Sequence, residues 1–179
     1  PYDDAVAKGL AEVIGFEPVA EACAELNRRH VPPHRFLELA VGGGTRRPFH
    51  VTAHPENSSL HRPNMALLRK FQELAPLFEI ARVEEVETVR LDDVPEIGDI
   101  DYLKIDVQGA ELEVLAHAPR ILAGAVVVQT EVEFVPMYEA QALFGDVDVA
   151  LRRHGFLLHK MEEPRGRAIR PLMAAGGPE

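Results

Sequence analysis

The chain of 179 residues predicts one α/β domain built on a mostly parallel sheet. Three observations predict it. Short β-branched and aromatic runs alternate with segments of helical spacing, the pattern that βαβ units leave in a sequence. The run AVVVQTEVEF is nearly continuous in apolar residues through its first half, as strands covered on both faces are. A hydrophobic content of 46% suits a chain of this length that buries one core.

The elements follow in order. PYDDAVAKGLA offers a short helix. AEVIGFEP, Ala11 to Pro18, is a short strand, then an acid, then a proline placed where a first helical turn tolerates a missing N–H. The helix it feeds is VAEACAELNRR, in which Val19, Ala22, Cys23 and Leu26 line one face; Pro32 and Pro33 end it. RFLELAV, Arg35 to Val41, is expected as a second strand stopped by Gly42-Gly43-Gly44. From residue 45 to residue 94 the pattern is irregular. PFHVTA and VEEVETVRL are strand-like, MALLRKFQELAPLF between them has helical spacing, and the whole is expected as an inserted or edge substructure. YLKIDV is the next strand, GAELEVLAHAPRILA a helix, AVVVQTEVEF a strand and GDVDVALRRHGF a helix. FLLHKMEE and RAIRPLM are expected as final strands and AAGGPE as a loose tail.

Charge excludes some partners. Nineteen Lys and Arg against 29 Asp and Glu leave a net charge of -10, which repels phosphate backbones and anionic lipid, so neither nucleic acid nor membrane is an expected partner. The single cysteine, Cys23, forms no internal disulfide, no apolar run reaches the length of a membrane span, and the N-terminal residues lack a signal-peptide layout; a cytoplasmic protein is expected. None of the eight histidines forms a pair with metal-ligand spacing, and no metal is expected.

Strand YLKIDV carries the chemistry. Alternation puts Leu103 and Ile105 on one face and Tyr102, Lys104 and Asp106 on the other. An ammonium buried there needs a partner. If AVVVQTEVEF pairs with it in parallel, Gln129, Glu131 and Glu133 share a face and Glu131 comes near Asp106 or Lys104. Lys104, Asp106 and Glu131 are therefore a candidate constellation at the carboxyl edge of the sheet, where ligands of open α/β folds bind. The competing reading has the lysine stem packing while its head reaches solvent, with Asp106 as an ordinary helix-start acid. Gln108-Gly109 favours function for Asp106, because a tight strand-to-helix turn leaves backbone N–H groups free. Glu111, in the first helical turn, reads first as structural, with a site role as the alternative. Glu17 sits at a strand tip where doubly wound folds hold ribose hydroxyls, roughly 20 residues after a glycine-rich loop. Counting back from Glu17 puts such a loop before Pro1, so the chain is expected to begin after that motif.

VIGFEP, Leu91-Asp92-Asp93, and above all DYLKIDVQGAELEVL with VVVQTEVEFVPMYE resemble the FkbM family of S-adenosylmethionine-dependent methyltransferases, over essentially the whole chain. The resemblance implies a Rossmann-like methyltransferase fold and methylation of hydroxyl oxygens on a sugar or small natural product, so a small-molecule or saccharide acceptor is the expected partner. The family's Asp-x-Gly-Ala-Asn turn is not in this sequence. A single domain over residues 1–179 without its first strand is thus implied, its sheet split in two. Carried over by position, Glu17 and Pro18 meet the ribose of S-adenosylmethionine, the Ala40-Val41 strand end approaches adenine, and Asp106, Val107 and Gln108 face the methionine end and the acceptor. Catalysis is then chiefly positioning, with Asp106 or Glu131 as the base beside Lys104. Ser58-Ser59-Leu60 resembles a short family motif, and Met137 and Tyr138 belong either to an acceptor flap or to packing. Two rivals stand beside this reading. One is phosphoryl transfer with Asp106 as nucleophile, weakened by Gln108 standing where a second carboxylate is needed; the other is a non-catalytic binding module.

Overall fold

A computed structural model describes residues 3–30, 32–162 and 166–170. Within them α1 (Asp3–Ala7) precedes β1 (Val13–Phe16), α2 (Ala20–Arg29) and β2 (His34–Leu37). β1 and β2 pair in parallel from Val13–His34 to Phe16–Leu37. Two devices hold this unit. The Asn27 side chain on α2 imitates a strand partner, its Nδ2 donating to Phe36 O at 2.8 Å and its Oδ1 accepting from Phe36 N–H at 2.9 Å. Gly15 makes room for the Phe36 ring, since a Cβ there would lie 2.5 Å from Phe36 Cδ1.

The segment RFLELAV is not one strand. It breaks after Leu37, where Leu39 N–H bonds back to Leu37 O at 2.9 Å, and β3 (Ala40–Val41) departs to a different sheet. There β3, β4 (Arg46–Thr52) and β5 (Ile80–Val89) take the order β3-β5-β4, with β3–β5 parallel and β4–β5 an antiparallel ribbon bulged between Val51 and Thr52. The helix expected over MALLRKFQELAPLF contracts to α3 (Met65–Leu68), capped by Asn64 accepting from Leu67 N–H, and a 3₁₀ turn at Ala75–Phe78. Glu73, at φ 58° in the left-handed region, is incompatible with helical continuation between them. Leu68, Leu74, Phe78 and Tyr138 form a small buried cluster under this segment.

β6 (Tyr102–Ile105) is followed by α4 (Glu111–Ala116), α5 (Pro119–Gly124), β7 (Val127–Thr130) and α6 (Phe144–Arg153). The helix expected as one over GAELEVLAHAPRILA is two, because Pro119 has no N–H to continue the ladder. Asp92 caps the second, accepting from Arg120 N–H at 2.8 Å and Ile121 N–H at 3.0 Å, which gives the Leu91-Asp92-Asp93 stretch a structural role.

The sheet expected to be split in two is divided further: among the described residues the strands form separate sheets of two, three and two, so the fold is mixed α/β with small parallel sheets. Among the described residues, helices cover one face of β6–β7. Leu103 and Ile105 are buried against Val114, Leu115, Ala118, Ile121, Leu122 and Val147, contributed by α4, α5, α6 and the link between α4 and α5. On the opposite face Lys104 is exposed and Val127 45% exposed, so among the described residues the apolar run AVVV does not mark a strand with helices on both faces. Phe16, Leu37 and Val107 pack against this same core, which brings the β1–β2 strand ends to it without a hydrogen-bonded ladder to β6. FLLHKMEE, expected as a strand, is irregular over the residues described, with Leu157 79% exposed. Of RAIRPLM, Ile169 makes an antiparallel bridge to Phe71, while its last three residues lie outside the described residues, as do the AAGGPE tail and the first two residues of PYDDAVAKGLA.

Candidate functional site

β6 ends at Ile105, and the turn Asp106-Val107-Gln108-Gly109 carries the chain into α4. Gln108 and Gly109 both take left-handed φ, 52° and 99°. Glycine at 109 is also a matter of space, since a Cβ there would lie 3.0 Å from Tyr138 Cδ2. The turn's N–H groups are not free, contrary to expectation: Glu111 Oε1 accepts from Val107 N–H at 3.0 Å and from Gly109 N–H at 3.1 Å. Glu111 is 2% exposed, and burial raises its carboxyl above the usual range against the pull of these donors.

Asp106 and Glu131 do come together. The parallel register Ile105–Thr130, extended by Glu131 N–H donating to Ile105 O at 3.0 Å, sets Glu131 beside the turn. The Gln108 amide bridges the two acids, Nε2 donating to Asp106 Oδ1 at 2.8 Å and to Glu131 Oε2 at 3.0 Å. Burial of the carboxyl, then the charge and hydrogen bond of Asp106, push Glu131 up to about 8. Glu131 as a whole residue remains exposed, so water screens the burial contribution and the neighbouring acid is the firmer cause. Glu133 is pushed up to about 7 by burial and by Glu111 and Asp106, while Gln141 Nε2 donates to its Oε2 at 2.6 Å.

A second layer holds the turn. Ser59 Oγ donates to Gln108 O at 2.6 Å, and the Tyr138 hydroxyl lies 2.9 Å from Asn57 O and 3.1 Å from Gln108 Oε1. Tyr138 is 1% exposed, and burial with four surrounding carboxylates raises its hydroxyl, so it stays neutral. Ser58-Ser59-Leu60 thereby gains a physical role as a latch on the strand tip.

Lys104 does not join this group. Its side chain is exposed, it sits opposite Gln129, and no ion pair links it to Glu131. Exposed as it is, its ammonium stays in water, so burial exerts no pull toward a partner. Glu17 follows β1, its Oε1 accepting from Val19 N–H at 2.9 Å at the start of α2, with Pro18 exposed beside it. Ala40 and Val41 are half-buried opposite Thr88 and Val89. The glycines that follow are bound in place: Gly43 N–H donates to Glu113 Oε1 at 2.9 Å, and Gly44 and Thr45 N–H both reach Thr88 Oγ1. A cleft of about 410 Å³ opens beside this strand, lined by Leu39, Thr88, Val89, Arg90 and Val94 among others, and so lies at the Ala40–Val41 end and not at the Asp106 turn.

Glu133 and Gln141 were not expected as site residues. Continuing the alternation from Glu131 points to Glu133; nothing local points to Gln141. Among the described residues no group of three or more His, Cys, Asp or Glu is arranged to hold a metal ion, and no helix is long and apolar enough to cross a membrane.

A family model described as the methyltransferase FkbM domain matches residues 2–158. No curated protein and no solved structure matches the chain.

Proposed function

The chain belongs to the FkbM methyltransferase family, and from that premise we propose that it transfers a methyl group from S-adenosylmethionine to a hydroxyl oxygen of a sugar or small natural product. The observation that carries the proposal is the carboxyl of Glu131, held against Asp106 by the Gln108 amide at the tip of β6 and pushed up to about 8, where a base is poised near neutral pH. When bound, the cofactor supplies an electrophilic methyl on a sulfonium.

The residues present suit such a group. A cationic sulfonium is complemented by Asp106, Glu131 and Glu133. Glu17 commits Oε1 to Val19 N–H and offers its second oxygen to ribose. The cleft walled by Leu39, Val89 and Val94 offers apolar surface for adenine beside Ala40–Val41. Phe16 and Val107, neighbours of Glu17 and Asp106, pack on one core, which supports a shared crevice between the two strand tips. In this reading Glu131 receives the acceptor hydroxyl's proton, Asp106 orients Glu131 and the acceptor, and Gln108 keeps both acids in register. Lys104, exposed and unpaired with Glu131, takes no part. A phosphoryl-transfer reading loses support because the turn's Val107 and Gly109 N–H groups, which a phosphate would require, are held by Glu111.

Calorimetric titration with S-adenosylhomocysteine tests the reading. One-to-one binding is expected, with methyl transfer to a hydroxyl acceptor abolished in Asp106→Ala while its unfolding curve is retained. No binding at millimolar ligand, or turnover undiminished in Asp106→Ala, overturns it.

A further inference from the structure

The hydroxyl of Tyr138 has one proton and two acceptors within reach, Asn57 O at 2.9 Å and Gln108 Oε1 at 3.1 Å, so in this arrangement one acceptor goes short. The shortage has a remedy in the same atoms. An amide is nearly symmetric in shape, and half a turn of the Gln108 side chain exchanges Oε1 and Nε2. Nε2 then donates to the Tyr138 oxygen, the Tyr138 O–H is released wholly to Asn57 O, and Oε1 turns toward Asp106 Oδ1 and Glu131 Oε2. An oxygen facing two carboxyls is satisfied only if one of them carries a proton to donate. The backbone need not move, because Ser59 Oγ anchors Gln108 O at 2.6 Å in either arrangement.

We propose that Tyr138 is a positioning residue for the Asp106–Glu131 pair, its hydroxyl coupling the proton held by that pair to the bond with Asn57 through a half-turn of the Gln108 amide. The two arrangements differ by one proton taken from solvent. In the proton-poor one, the amide N–H groups hold both acids and Tyr138 satisfies one acceptor. In the proton-rich one, a carboxyl proton goes to Gln108 Oε1 and Tyr138 makes two bonds, one donated and one accepted. Charged groups facing the hydroxyl and the Glu131 carboxyl are Asp106, Glu111 and Glu133, all acidic, with Glu131 itself facing Tyr138. Each of these favours the extra proton, and none supplies a positive charge to oppose it. Ser58-Ser59-Leu60 and its neighbour Asn57 thus sense the protonation of the strand tip, through one buried hydroxyl.

The proposal goes beyond methyl transfer and stands on hydrogen-bond geometry alone; a chain silent toward S-adenosylhomocysteine would still carry it. The test is a carbon-detected NMR titration of the Glu131 carboxyl, assigned with Glu131→Gln, together with the side-chain amide signals of Gln108. In the unmodified protein the Gln108 amide signals should move with the same midpoint as the Glu131 carboxyl. Tyr138→Phe keeps the ring packed on Phe78, removes one more bond from the proton-rich arrangement than from the other, and should lower the Glu131 midpoint by about one pH unit. In a Gln108→Met background the same change should leave the midpoint in place. Gln108 signals that stay fixed through the Glu131 titration overturn the coupling, as does an unmoved or raised midpoint in Tyr138→Phe, or a shift that survives in Gln108→Met. Should Tyr138→Phe not fold, Gln108 signals that stay fixed in the unmodified protein still overturn the coupling.

Discussion

Glu131→Gln should make the protein more stable at alkaline pH and nearly neutral in effect at acid pH. An unfolded glutamate titrates near the ordinary 4.5, whereas in the fold Glu131 is pushed up to about 8 and Glu133 up to about 7. Between those values the folded chain holds more protons than the unfolded one, so stability falls as pH rises, and the loss is complete above about 8. Taken at face value the rise at Glu131 corresponds to several kcal/mol. Because the residue is exposed, water screens much of it, and on the order of 1–2 kcal/mol remains. Glutamine keeps the shape and cannot ionise. Urea unfolding at about pH 5 and about pH 9 measures the effect directly. The wild-type free energy should drop by about 1–2 kcal/mol between the two, and Glu131→Gln should remove most of that drop, leaving the share of Glu133. A wild type equally stable at both pH values, or a variant with an unchanged slope, would refute the account of why this carboxyl is perturbed.

Gly109→Ala must accept φ 99° and a Cβ 3.0 Å from Tyr138 Cδ2, and should cost about 1–3 kcal/mol in urea unfolding. Glu113→Ala leaves the Gly43 N–H and the Arg47 guanidinium, now 2.8 Å from Glu113 Oε2, without a partner; a loss of about 2–4 kcal/mol by thermal and urea unfolding is expected. Methyl transfer, followed by S-adenosylhomocysteine release, should rise with pH through about 8 as Glu131 gives up its proton, and Glu131→Gln should remove that rise and lower the alkaline plateau about 10²–10⁴-fold.

Local pattern carried much of the architecture. β1, β6 and β7 and the helices α2 and α6 lie where β-branched runs and three-and-four spacing put them, because those signals come from contacts each element makes along its own length. The break in RFLELAV was not legible. Leu37, Glu38 and Leu39 keep a strand's alternation, and only the availability of Thr88 and Val89 on β5 draws Ala40–Val41 away from β2. Pro119 did mark the break between α4 and α5, yet the apolar spacing runs through it and masks it. At the site, the meeting of Asp106 and Glu131 followed from alternation plus a parallel register, two local rules acting together. Of the two readings of Lys104 the exposed one holds, because the buried one required helices on both faces of β6, a property of the whole packing. The bridging amide of Gln108 depends on a left-handed φ of 52°, which a non-glycine residue does not advertise.

In the function we propose, the strand tips bearing Glu17 and Asp106 serve one nucleoside-shaped crevice. Backbone amide shifts recorded while S-adenosylhomocysteine is titrated in test it most directly. Signals of Glu17 to Val19 and of Asp106 to Gly109 should move together along one saturation curve; movement at one tip alone, two different curves, or no movement at either would contradict it.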